Sequence, residues 1–232
     1  MGSFVSAFSN NRGSSATPNY LDILLMQQAY NTKTPITTID NSVLTVCNLA
    51  PTNYIAAQSP GYLFYGYKGI TSIDLKLAST TTYPWHTNVS LGSYDFANMP
   101  DLESITLTDF KGTQLASKLI DQNPKLTFVS INTYHGKDSS PSDTINSVSL
   151  FGANPALQTV SFDTATLATS LFNSAPALKS LYISNRITSI DSNALTNLAS
   201  VPFTIYIDRA PDAISGAPWG ATNATVQWTG TT

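Results

Sequence analysis

The feature that most constrains the fold of this chain is an eight-residue unit, Pro-x-Leu-x-x-Ile-x-Leu, that recurs without gaps. Counting its leucine as position 1, the apolar residues stand at positions 1, 4 and 6. The unit occupies residues 100–107, 124–131, 155–162 and 176–183. A further apolar side chain precedes each proline by four residues, namely Phe96, Ile120, Phe151 and Phe172. Such self-similarity is typical of a stacked repeat architecture.

Weaker copies flank these four. Residues 70–75 precede them, residues 204–207 follow them, and residues 43–46 are a degenerate first member. Position 1 falls at residues 70, 102, 126, 157 and 178, which gives spacings of 32, 24, 31 and 21 residues. The spacings are uneven, but they lie in the range of about 20–50 residues that is typical of solenoids.

The pattern within the unit predicts a short strand that follows a turn. Proline ends the preceding segment, and alternating apolar residues then point into a core. One unit is too small to bury its own apolar face, so we expect neighbouring copies to stack into a parallel sheet.

Residues 177–198 resemble one repeat of the BspA-type bacterial leucine-rich-repeat surface proteins, with a first strand, a short Thr-Ser-Ile strand and a following turn. Residues 214–228 resemble an ending attached to such repeats in surface and phage structural proteins of Gram-positive bacteria. The resemblance covers roughly residues 70–228 and implies a leucine-rich-repeat fold.

Two departures from that family affect the expected fold. Residue 195 is leucine where the family prefers phenylalanine. Position 9, which carries asparagine in ordinary leucine-rich repeats, here reads Phe110, Tyr134, Ala165 and Arg186. We therefore expect no asparagine ladder and an irregular convex side.

The predicted fold class is mainly β or α/β, a short irregular leucine-rich-repeat solenoid with a parallel concave sheet, an N-terminal helical cap and a C-terminal β cap. Residues 1–18 are predicted to be a flexible arm, and residues 19–69 a helix and capping region. The solenoid is expected at residues 70–208 and the C-terminal cap at 209–232, where Trp219 buries its ring.

Composition argues against several function classes. Only 11% of the residues are charged, the net charge is -3, and the 11 Lys and Arg residues are scattered, so nucleic acid is not expected as a partner. No run of eighteen apolar residues exists, so we expect no membrane insertion. The start lacks the pattern of a secretory signal, and the single Cys47 is read as an inert buried thiol.

The sequence also contains few residues that could form a catalytic or metal-binding site. The chain contains two histidines, one cysteine and one glutamate, and a carboxylate pair of Asp74 with Glu103 falls on neighbouring predicted strands out of register. Residues 138–143 lack the spacing and glycine of an EF-hand loop. We therefore predict no enzyme activity, no metal and no cofactor, and rank a polysaccharide-acting enzyme third among the functions.

The remaining candidates are outward-facing side chains. Position 5 reads Asp74, Thr106, Ser130, Ser161, Tyr182 and Tyr206, and position 7 reads Lys76, Thr108, Asn132, Asp163, Ser184 and Asp208. Hydroxyls and amides beside two tyrosines are suited to binding a glycan or a protein loop. The predicted concave-face site residues are Asp74, Asn132, Asp163, Tyr182, Tyr206 and Asp208. Two long insertions between copies, Lys76–Asp95 and Asn132–Ser147, add the loop candidates Trp85, His86, Tyr134 and His135.

The leading functional hypothesis is a non-enzymatic surface component of a phage or phage-like virion, at the tail, baseplate or head, that attaches to a host surface glycan or protein. The alternative is a bacterial cell-surface adhesin. The expected partners are other virion proteins or a cell-surface protein or glycan, and the chain is expected to assemble on a larger particle or as a homo-oligomer.

Overall fold

A computed structural model of the protein describes residues 36–40, 64–76, 91–110, 115–133, 144–168 and 170–230. Over these residues the protein is mainly β, with parallel sheets and a short 3-10 helix at Thr196–Leu198. Of the two predicted fold classes, the mainly β class is the one observed. The predicted N-terminal arm and helix lie outside the described residues. Within them, no helix has the length and apolar character needed to cross a bilayer.

The largest sheet has eight strands, all parallel and hydrogen-bonded in the order in which they occur along the chain. This order follows from the repeat, because each copy brings one strand alongside the strand of the preceding copy. The strands are β1 (Thr38–Asp40), β2 (Ser72–Lys76), β4 (Ser104–Phe110), β6 (Phe128–Thr133), β9 (Thr159–Asp163), β12 (Ser180–Ile183), β14 (Thr204–Ile207) and β15 (Thr225–Trp228).

Two smaller parallel sheets complete the fold. The four-stranded sheet contains β3 (Phe96–Ala97), β5 (Ile120–Asp121), β8 (Phe151–Ala153) and β11 (Phe172–Ser174). The three-stranded sheet contains β7 (Thr144–Ile145), β10 (Thr166–Leu167) and β13 (Ser189–Ile190). From β9 to β13 the chain visits the eight-stranded, three-stranded and four-stranded sheets in turn.

The core lies between the sheets and is built from the apolar positions of the unit. Positions 4 and 6 of neighbouring copies are paired in register, as in Ile105 with Val129 and Leu107 with Ile131, and all four side chains are fully buried. The apolar residue before each proline starts a strand of the four-stranded sheet. There the rings of Phe151 and Phe172 stack at a centroid distance of 4.6 Å. The inward direction predicted for these positions is confirmed.

Strand β1 was not predicted from the repeat. It pairs with β2 through Ile39 and Ile73, which are both buried and occupy the column of position 4. A strand of three residues between polar segments carries too short an alternation to be recognised from sequence. The predicted degenerate copy at residues 43–46 lies outside the described residues.

A short asparagine ladder runs through the turns that precede the unit, although none was expected. Asn123 and Asn154, each directly before proline, are both fully buried. Asn123 Oδ1 accepts from the Met99 backbone N–H at 2.9 Å, and Asn154 Oδ1 accepts from the Asn123 backbone N–H at 3.2 Å. Position 9 lacks the asparagine, as the sequence shows, but side-chain amides satisfy buried backbone groups three residues before position 1 in these two copies.

The C-terminal residues pack onto the core, as expected for Trp219. Its ring is fully buried, and its Nε1 donates to the Ser215 carbonyl at 2.8 Å. The ring of Trp228 meets it edge-on at 6.3 Å. Gly220 adopts a φ of +91°, and a side chain there would collide with the backbone of Thr196, so a residue without Cβ is required at this position.

Candidate ligand-binding face

The outward positions of the eight-stranded sheet form aligned columns on its solvent-facing side. The position-5 column contains Asp40, Asp74, Thr106, Ser130, Ser161, Tyr182, Tyr206 and Gln227. The predicted register of this column is confirmed from Asp74 to Tyr206. The columns cross the strands, so that one side chain is presented about every 4.8 Å.

The tyrosine pair is the most exposed aromatic feature of the position-5 column. Tyr182 and Tyr206 pair in register on β12 and β14, and their rings stack at 4.9 Å with an angle of 10° between their planes. This separation equals one strand spacing, so the stacking follows directly from the parallel register. Tyr182 keeps 44% of its surface exposed, and its neighbour on the other side is the small Ser161.

Phe128 is a third aromatic residue on this face, and the sequence interpretation did not identify it as a site residue. It stands at position 3 of β6, in register with Ser104 and Thr159, and is 38% exposed. The other members of the position-3 column from β1 to β15 are serine or threonine. An aromatic residue at a position otherwise occupied by hydroxyl residues was the signal available in the sequence.

Positions 3 and 5 of the five central strands carry no charged residue. Positions 3 and 5 of β4, β6, β9, β12 and β14 are Ser104, Thr106, Phe128, Ser130, Thr159, Ser161, Ser180, Tyr182, Thr204 and Tyr206. Carboxylates lie outside this set, at Asp40 and Asp74 on the two preceding strands and at Asp163 and Asp208 in position 7. We call the ten uncharged residues the neutral face.

Several hydroxyls of the neutral face are available to a ligand. Among the described residues, the side chains of Thr106, Ser130 and Ser161 make no hydrogen bond to another protein group. All three are partly exposed. Each hydroxyl can donate one hydrogen bond and accept others, so this area is able to pair with either donors or acceptors.

Some position-7 side chains already form hydrogen bonds or ion pairs with other groups of the protein. Ser184 Oγ donates to Asp163 Oδ1 at 2.6 Å, and Arg186 Nη1 lies 3.4 Å from the same oxygen. Arg186 Nη1 also donates to the Thr133 carbonyl at 3.0 Å. Asp163 therefore orients groups of the scaffold, while Asn132 lies beside it in register on β6.

Asp208 follows β14 directly and is exposed. Its backbone N–H donates to the Ile183 carbonyl at 3.0 Å, which extends the pairing of β14 with β12 by one residue. The loop candidates Trp85, His86, Tyr134 and His135 lie outside the described residues.

An exposed ion pair lies in the turns that lead into β4 and β6. Lys125 Nζ donates to Asp101 Oδ1 at 2.8 Å, and the Gly69 N–H donates to Oδ2 at 3.0 Å. The hydrogen bond from Lys125 holds the pKa of the Asp101 carboxyl below its usual value, and Asp101 raises the pKa of Lys125. The pair is solvated and screened by salt, so it contributes little to stability.

Asp74 and Glu103, the carboxylate pair considered from the sequence, do not stand opposite each other on β2 and β4. The register places Thr106 opposite Asp74, whereas Glu103 precedes Thr106 by three residues. Among the described residues, no group of three or more His, Cys, Asp or Glu side chains is arranged to hold a metal ion.

No family model, no curated protein and no solved structure matches this chain.

Proposed function

We propose that this protein is a non-enzymatic binding module of the leucine-rich-repeat solenoid class, and that it attaches to a surface ligand through the outward side of its eight-stranded sheet. The repeated unit and the parallel sheets visited in turn support the solenoid class. Partly exposed aromatic rings among hydroxyl groups support a binding role for the sheet.

The biological setting that we propose is the surface of a phage or phage-like virion, where the chain acts as an attachment or decoration component. The resemblance of residues 214–228 to endings in phage structural and bacterial surface proteins supports this setting. A bacterial cell-surface adhesin is the second candidate, because the same resemblance and the same face serve it equally well.

The stacked pair of Tyr182 and Tyr206 is the observation that carries the proposal. The two rings stiffen each other, so little side-chain freedom is lost when a ligand packs against them. Tyrosine also combines a large apolar ring with a hydroxyl group, which suits it to surfaces that are wet before binding.

The test is a whole-cell and glycan-array binding assay with the wild-type protein and with Tyr182→Ala/Tyr206→Ala. We expect the double variant to bind at least about thirtyfold more weakly, since truncating a central aromatic contact weakens binding by about 2 kcal/mol or more. The matched control is Val148→Ala, because Val148 is 53% exposed and lies in the turn before β8, away from this sheet.

Unchanged binding by the double variant would contradict the proposal and direct attention to the insertions that contain Trp85 and His135. The genomic neighbours separate the two settings. Adjacent tail or capsid genes support the virion component, whereas a cell-wall anchor encoded downstream in the same reading frame supports the adhesin.

A further inference from the structure

We infer that the ligand of the neutral face is an uncharged glycan chain that lies across strands β6 to β14 and contacts Phe128 as well as Tyr182. This inference rests on the proposed binding function and specifies its ligand. It is carried by three features of the face, which are its lack of charge, its unpaired hydroxyls and the positions of its aromatic rings.

The lack of charge selects against ionic ligands. None of the ten side chains of the neutral face can neutralise a carboxylate, sulfate or phosphate, and the nearby carboxylate of Asp74 would repel an anion. Recognition of anionic groups normally depends on Arg or Lys. Covering an ion without a partner is unfavourable, because the ion loses its hydration.

The hydroxyls match the edge of a sugar ring. Sugar hydroxyls both donate and accept hydrogen bonds, and Thr106, Ser130 and Ser161 offer the same two capacities with no hydrogen-bond partner among the described residues. Hydroxyls at positions 3 and 5 recur with each strand, about every 4.8 Å. A polymer that lies across the strands therefore meets similar groups along its length.

The aromatic rings of Phe128 and Tyr182 lie on either side of an area occupied by small residues. Phe128 and Tyr182 stand on β6 and β12, which are separated by β9, and the residues of β9 between them are Thr159 and Ser161. Two strand spacings and two residues along a strand place their Cα atoms roughly 12 Å apart. A chain of several sugars is long enough to pack its C–H surfaces on both rings and its hydroxyls on the small residues between them.

A peptide is less well suited to this area. Strands β6, β9 and β12 are each paired on both sides, so their backbone groups are already used and an extended peptide cannot add a strand there. Only side chains remain to recognise the ligand. A protein loop could still bind through side chains alone, and protease treatment of the cells distinguishes it from a glycan.

The experiment measures affinity of the full chain for neutral dextran, galactan and mannan and for acidic polygalacturonate and hyaluronate, together with their competition against whole-cell binding. We expect at least one neutral probe to bind and compete, with an affinity that changes less than about twofold between about 50 and 500 mM NaCl. Phe128→Ala should weaken this binding at least about fivefold, and Phe128→Tyr should retain it, because tyrosine keeps the ring. Val148→Ala is the exposed control.

Binding restricted to the acidic probes and abolished by salt would overturn the uncharged ligand while leaving a binding role for the face. Cell binding that depends on Tyr182 but is removed by protease treatment of the cells, with no competition by the neutral probes, would overturn it in favour of a protein ligand. Equal affinities of Phe128→Ala and wild type for a neutral probe would overturn the contact to Phe128. Failure of Tyr182→Ala/Tyr206→Ala to change any binding would overturn the proposed function itself.

Discussion

At the scale of single residues, Gly152 in the four-stranded sheet is a position where the packing leaves no room for a side chain. Gly152 lies in β8 beside the buried Asp121 of β5, and a Cβ at this position would overlap the Asp121 carboxylate. That carboxylate cannot readily move, because its Oδ1 accepts from the Ala153 N–H at 2.7 Å. The absence of a side chain at Gly152 therefore makes room for a hydrogen bond between neighbouring strands.

We predict that Gly152→Ala lowers the free energy of unfolding by about 1–3 kcal/mol, the usual effect of forcing extra atoms into a packed site. Urea denaturation measures the change. Ala153→Ser, at the exposed neighbouring position, is the matched control and should stay within about 0.5 kcal/mol of wild type. The effect should shrink when Asp121 is also replaced by alanine, because the two closest collisions, with the carboxylate atoms of Asp121, are then removed. An additive double variant would contradict this explanation.

At the scale of elements, the turns before the strands are held by side-chain amides. Besides accepting backbone hydrogen bonds, Asn123 Nδ2 donates to the Phe96 carbonyl at 2.8 Å and Asn154 Nδ2 donates to the Ile120 carbonyl at 3.1 Å. Each amide therefore links its turn to the strand region of the preceding copy. The buried turns would otherwise leave backbone groups unsatisfied.

We predict that Asn123→Ala and Asn154→Ala each reduce stability by about 1–3 kcal/mol, since each leaves buried donors and acceptors without partners. The double variant should be less than additive, because Asn154 Oδ1 accepts directly from Asn123. Chemical denaturation of the four proteins in the cycle measures both effects. Asn173→Ala, at an exposed position in β11, should change stability little, and an equal loss there would contradict the prediction.

At the scale of the whole molecule, neighbouring copies stabilise each other across the parallel sheets. In such an array the end copy has one neighbour instead of two, so stability depends on position along the stack. The C-terminal end strand β15 has its alternate residues Val226 and Trp228 only partly buried. The buried ring of Trp219 packs beside Trp228 and strengthens this end.

We predict that Trp219→Ala reduces stability by about 3–5 kcal/mol, because it empties a large buried site. Amide hydrogen exchange should accelerate most in β15 and β14 and least in β4 and β6, since the loss is local to one end of the stack. Trp228→Ala is the control with a partly exposed ring and should have a smaller effect. Uniform acceleration across the sheet would show that the array unfolds as a single unit instead.

The candidate site was partly predictable. The position-5 register placed Tyr182 and Tyr206 on adjacent strands of one face, because parallel copies of an ungapped unit bring equivalent positions together. Phe128 was missed because only positions 5 and 7 were considered as ligand-facing, although position 3 carries serine or threonine in the other copies. The engagement of Asp163 by Ser184 and Arg186 was also missed, because it joins residues that are 21 and 23 positions apart across a turn.

The sequence by itself determined which side chains of each unit face the core and which face solvent. The direction of a side chain in a strand depends on local backbone geometry and alternates with period two, so it is encoded within a few residues. Only the tertiary structure decided that three parallel sheets form, that Thr38–Asp40 begins the largest of them, and that Asn123 and Asn154 connect successive turns. These features depend on the paths that connecting segments of unequal length take from one copy to the next. Those paths are decided by packing between residues far apart in sequence, so no local pattern specifies them.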